Sequence, residues 1–86
     1  MRLILHPKVY SDIDRIMAYY EEVELRHFMA EAATRPESFA IRERDIRRVN
    51  LLRFPYHFLF RTVGDAVRIL VVLHHSRHPY LETRRR

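Results

Sequence analysis

Apolar residues recur along this chain with two different periods, and the change of period divides it into parts. Arg2 to Leu5 is a short apolar run closed by His6-Pro7, which predicts a first strand. Val9, Ile13, Ile16, Met17, Tyr20 and Val23 then follow at helical spacing. Asp12, Asp14, Arg15 and Glu21 fall mostly on the other side, and Pro7 suits the first turn. A second helical stripe, Leu25, Phe28, Met29 and Ala32, points roughly 130° away from the first if each residue advances the helix by about 100°. One straight helix cannot bury both stripes against one surface, so the pattern predicts a bend near Val23 to Leu25. Pro36 disfavours helix at Arg35 and ends the helical part there.

Beyond Phe39 the period shortens to that of strands. Ile46 to Arg53 predicts one strand, and Phe54-Pro55-Tyr56 a link. His57 to Val63 and Ala66 to His75 predict a hairpin turning at Gly64-Asp65, with glycine at the first turn position. The register then follows from the turn. Phe58 faces Val71, Phe60 faces Ile69 and Thr62 faces Val67, giving, with Leu73, an apolar side to receive the helices. The other side pairs His57 with Val72, Leu59 with Leu70 and Arg61 with Arg68, with His74 diagonal to His57. His75 points toward the helices in this register, as a half-buried structural residue. The predicted fold is α+β: a short N-terminal strand, a helical hairpin, then antiparallel strands in one sheet with the helices on one face.

At 86 residues the chain has room for one core, so a single domain over residues 1–86 is expected. The absence of cysteine excludes disulfides and thiolate-bound metal, and a reducing cytoplasm is the natural setting. No run approaches the apolar length of a membrane span. The formal charge is +5, and fifteen of the sixteen basic residues are arginine. Arginine binds phosphate or carboxylate through a planar fork, so the expected partners are acidic: nucleic acid or an acidic protein segment.

Charge and register together single out one surface. Arg61 opposite Arg68 is mildly unfavourable unless an anion or solvent relieves it. With His57, His74 and Arg77 nearby, the open face of the sheet becomes a rigid basic surface. Histidine can move protons near neutral pH and arginine can stabilise a pentavalent phosphate, a combination suited to metal-free RNA cleavage. Pro79 and the strand context remove the helical spacing that a His74–His78 metal site would need, and no metal or other cofactor is expected. No phosphate-binding glycine loop, paired carboxylates or nucleophile motif is present, which sets aside most other enzyme classes.

Several local patterns carry a resemblance. These are Pro7-Lys8-Val9-Tyr10-Ser11-Asp12-Ile13, Arg35-Pro36, Ile46-Arg47-Arg48-Val49, Arg53-Phe54-Pro55-Tyr56-His57-Phe58-Leu59-Phe60, and Val71-Val72-Leu73-His74-His75-Ser76-Arg77-His78-Pro79. In this order they resemble the ParE/RelE superfamily of toxins from bacterial type II toxin–antitoxin systems, most of all the ParE-like branch of plasmid stabilisation proteins. The resemblance implies a cytoplasmic toxin held in a hetero-oligomer by a cognate antitoxin that covers its basic surface. On the ParE side the implied target is DNA gyrase and the protein is an inhibitor rather than an enzyme. On the RelE side it is a metal-free endoribonuclease acting on mRNA at the ribosome. The positions matching the nuclease set are Arg48, Asn50, His57, Arg77 and Tyr80, with asparagine and histidine departing from basic residues at two of them. Arg61, Arg68, His74 and Arg77 are the expected antitoxin- or target-binding residues. The helical region is shorter than is usual in the family, around Val23 to Leu25, which leaves open a toxin-like fold without toxicity.

Overall fold

The computed structural model describes residues 1–76. The elements are β1 (Arg2–Leu5), α1 (Pro7–Ile16), α2 (Tyr19–Thr34), a 3₁₀ turn at Pro36–Ser38, β2 (Ile41–Glu43), β3 (Ile46–Asn50), β4 (Tyr56–Val63) and β5 (Ala66–His74). They form one five-stranded sheet in the order β1-β5-β4-β3-β2, the α+β arrangement predicted. The last four strands pair antiparallel, and β1 returns parallel beside β5, with Leu3 opposite Val67 and Leu5 opposite Ile69.

The helices break earlier than the apolar stripes suggest. Met17 leaves the helix with extended backbone and its N–H bonds to the Ile13 carbonyl; α2 restarts after Ala18, whose N–H donates to Glu21 Oε1 at 2.7 Å. Tyr56 reaches across to the break and its hydroxyl donates to the Ile16 carbonyl at 2.6 Å. That satisfies one of the acceptors a helix end leaves open. The break at Met17–Ala18 accounts for the rotation between the stripes, and no bend falls at Val23 to Leu25. Val9, Ile13, Leu25, Met29 and Ala32 pack on one sheet face with Val49, Tyr56, Phe58, Phe60, Val67, Ile69 and Val72. Tyr20 and Val23, counted above with the first stripe, lie exposed.

Asp12 also departs from its expected place on the solvent side. It is buried, and Oδ2 accepts the N–H of Val72 at 3.2 Å. Pairing with β1 stops at Ile69, so Asp12 ties α1 to the part of β5 that outruns its neighbour. Arg47 turns to the helix side and donates to the Phe39 carbonyl. The β2–β3 turn, not foreseen as a hairpin, places Arg44 at φ 53°.

The β4–β5 hairpin turns at Gly64, with φ +60°, a sign that glycine adopts without steric penalty. Val63 pairs with Ala66, Thr62 with Val67, Arg61 with Arg68 and Phe60 with Ile69, as predicted. The register then shifts: Leu59 pairs with Val71, Phe58 with Val72, His57 with Leu73 and Tyr56 with His74. Leu70 is the extra residue of a β-bulge, so every later side chain of β5 changes face. Val71 and Leu73 therefore do not join the helix-side core. They form a second buried cluster with Ile46, Leu59 and Leu70 on the opposite face, while Val72 joins the first.

Candidate functional site on the open face of the sheet

The bulge decides which histidines meet. His74 was expected on the open face and His75 toward the helices; the positions are exchanged. The His74 ring stands edge-on to Tyr56 at 5.3 Å, on the helix side, and His74 Nδ1 lies 2.9 Å from Ser76 Oγ. His75 turns to the open face, where its ring runs nearly parallel to His57, with centroids 5.3 Å apart and planes at 21°. Their Nδ1 atoms are 3.2 Å apart. At that distance one nitrogen carries the proton and the other accepts it. The Pro55 carbonyl accepts the backbone N–H of His75 at 2.9 Å, fixing the end of the strand over the β3–β4 link.

Beside this pair, β3 contributes Asn50, directly opposite His57, and Arg48, two residues back on the same face. Arg48 Nε donates to Asn50 Oδ1 at 2.8 Å. The asparagine that departs from the nuclease pattern thus holds the neighbouring arginine, and its bond uses the inner guanidinium nitrogen. That bond does not engage the terminal nitrogens, the pair through which a guanidinium can bind phosphate bidentately. Partial desolvation of the ring first, then its electrostatic interaction with Arg48 and with the adjacent His74, lower the His75 pKa from its ordinary 6.5, which favours the neutral imidazole.

The two histidines of the pair are unequally exposed. His57 is 1% exposed, whereas His75 is open to solvent. Four apolar side chains, Leu59, Leu70, Val71 and Leu73, separate this end of the hairpin from the turn end, where Arg61 and Arg68 pair across the strands. His57 and Arg61 are four residues apart on β4, roughly 13 Å at strand rise. The predicted basic surface is therefore two polar clusters with a buried apolar strip between them.

At the turn end the expected uncompensated arginine pair is not found. Arg61 binds Asp45 of the β2–β3 turn, with Nε at 3.1 Å and a terminal nitrogen at 2.8 Å from Oδ2. Arg68 carries the unsatisfied group: its Nε is buried with no hydrogen-bond partner among the described residues. Arg77 and Tyr80, expected in the nuclease set, and Arg77 again in the binding set, lie outside the described residues. Of the expected nuclease residues the structure brings together Arg48, Asn50 and His57, and it adds His75.

The isolated Escherichia coli RelE toxin superposes with a TM-score of 0.72 at 15% identity, over 93% of this chain and 89% of that one. The E. coli RelBE toxin–antitoxin complex gives 0.71 at 16% identity, over 88% and 98%. A double mutant of E. coli RelE in the free state gives 0.75 at 16% identity, over 94% and 90%. The chain thus has the RelE-like fold over nearly its whole described length. No family model and no curated protein matches the chain in sequence.

Proposed function

We propose that this protein is the toxin of a type II toxin–antitoxin pair and that it acts as a RelE-like, metal-free endoribonuclease on mRNA at the ribosome, restrained by a cognate antitoxin in the cytoplasm. One observation carries the reading. On the open face of a RelE-like sheet, an arginine held by Asn50 stands beside two imidazoles in contact, one of them with a lowered pKa that favours its neutral form. These are the groups needed to move a 2′-hydroxyl proton and to stabilise charge building up on phosphate. A gyrase inhibitor, the ParE-like alternative, would not require acid–base groups set against a phosphate-binding arginine.

In this reading the antitoxin covers the turn end of the hairpin. Arg61 already has Asp45, whereas no ion pair holds the Arg68 guanidinium among the described residues, so a carboxylate from an acidic antitoxin segment gains more at the Arg68 charge than at Arg61. Pulse-labelling of DNA, RNA and protein synthesis after induced expression tests the reading. Early loss of protein synthesis is expected; early loss of DNA synthesis with translation intact would overturn the nuclease in favour of gyrase, and unimpaired growth would overturn toxicity altogether.

A further inference from the structure

Accessibility and sequence pattern disagree about which histidine handles protons. The resemblance places His57 in the nuclease set, yet its side chain is buried at 1% exposure. A general base must come within hydrogen-bond reach of the proton it takes. His75 sits against it on the same face, is open to solvent, and stands in the field of Arg48. The bulge at Leu70 is what delivers it there.

We propose that His75 is the proton-transferring imidazole of this protein and that His57 is its buried positioning residue. The inference rests on the nuclease reading for its substrate, and on the ring pair alone for its geometry. His75 Nδ1–H donates to His57 Nδ1, which fixes the tautomer of His75 and leaves the Nε2 lone pair for substrate. In the cleavage step the 2′-hydroxyl proton passes to His75 Nε2 as the 2′-oxygen bonds to phosphorus. The P–O5′ bond breaks, its electron pair stays on the 5′-oxygen, and that oxygen takes a proton from water. The products are a 2′,3′-cyclic phosphate and a 5′-hydroxyl. Arg48, held through Asn50, faces the charge on the non-bridging oxygens. Among the described residues, the charged and titratable groups beside this ring are Arg48 from β3, His57 from β4 and the adjacent His74, and besides desolvation Arg48 and His74 act on its basicity.

The test has two arms. In the first, the full chain and its His75→Ala and His57→Ala variants cleave a short message on programmed ribosomes, with folding checked by thermal unfolding. His75→Ala should lose on the order of 10²- to 10⁴-fold in single-turnover rate, and free imidazole should restore part of it because the site is open. His57→Ala should lose less, gain nothing from imidazole, and shift the acidic limb of the rate–pH profile. Near-normal cleavage by His75→Ala, or imidazole rescue of His57→Ala alone, overturns the assignment. In the second arm, proton NMR looks for a slowly exchanging Nδ1–H resonance that disappears in both variants. Its absence from the wild-type chain overturns the ring pair. A message left intact by the wild-type chain refutes the nuclease reading instead, and the NMR arm still decides the pair.

Discussion

Replacing Asp12 by alanine should destabilise this protein more than its place on a short surface helix suggests. Asp12 is buried, and its carboxylate accepts the N–H of Val72, itself buried at the end of β5 where pairing with β1 has stopped. Hydrogen bonds to charged groups contribute ~1.5–3 kcal/mol net, and removing the acceptor leaves Val72 N–H buried without water. The ion pair with Arg15, long at 3.5 Å and on the solvent side, adds little. The expected loss is about 2–3 kcal/mol. Against a total of roughly 4–13 kcal/mol for a domain this small, that is a large fraction. At about 4–8 °C per kcal/mol the thermal midpoint falls by roughly 10–20 °C. Urea unfolding followed by circular dichroism measures the loss, with Asp12→Asn, which keeps a neutral acceptor, expected to lose about half as much. An Asp12→Ala chain within ~0.5 kcal/mol of wild type would refute the view that this carboxylate replaces a missing strand partner.

Other consequences can be checked separately. Tyr56→Phe removes the bond to the Ile16 carbonyl and should lose ~1 kcal/mol in urea unfolding. Burial and then Glu21 raise the Tyr56 pKa above 10.0, so the folded state holds the phenol proton more tightly than the unfolded chain. Wild-type stability should therefore fall as pH rises above about 10, and the phenylalanine variant should lack that component. Arg48→Gln removes a positive neighbour of His75 and should raise its pKa toward the ordinary 6.5, seen as an upward move of its NMR titration midpoint. Arg68→Glu should weaken antitoxin binding more than Arg61→Glu, with a loss that shrinks at high salt; equal affinities for both variants and wild type would refute the role of the turn end.

What was legible in the chain follows from where its pattern is unambiguous. Near Gly64 the turn dictates the register, and four strand pairs stand as read. Leu70-Val71-Val72-Leu73 is different, because four consecutive apolar residues are buried on both faces and alternation cannot tell which faces which. The bulge hidden in that run reverses His74 and His75, and the candidate proton-transfer pair was missed for that reason alone. The helix break was illegible for a related reason. Ala18 is a poor N-cap, and only Glu21, three residues on, gives half of the usual starting signal. Asp12 reads as one of several solvent-facing acids until β5 is seen to outrun β1. The Arg48–Asn50 bond had a signal in the i, i+2 spacing of a strand face, which was read instead as a departure from pattern.

Adding the purified chain to a reconstituted translation reaction and mapping the ends of the message tests whether this protein cuts mRNA. Cuts are expected within the ribosome-bound codon, leaving a 2′,3′-cyclic phosphate upstream and a 5′-hydroxyl downstream, and they should be lost when Arg48 is replaced by alanine. An intact message in the presence of folded protein, with gyrase supercoiling inhibited in parallel, would contradict the nuclease reading.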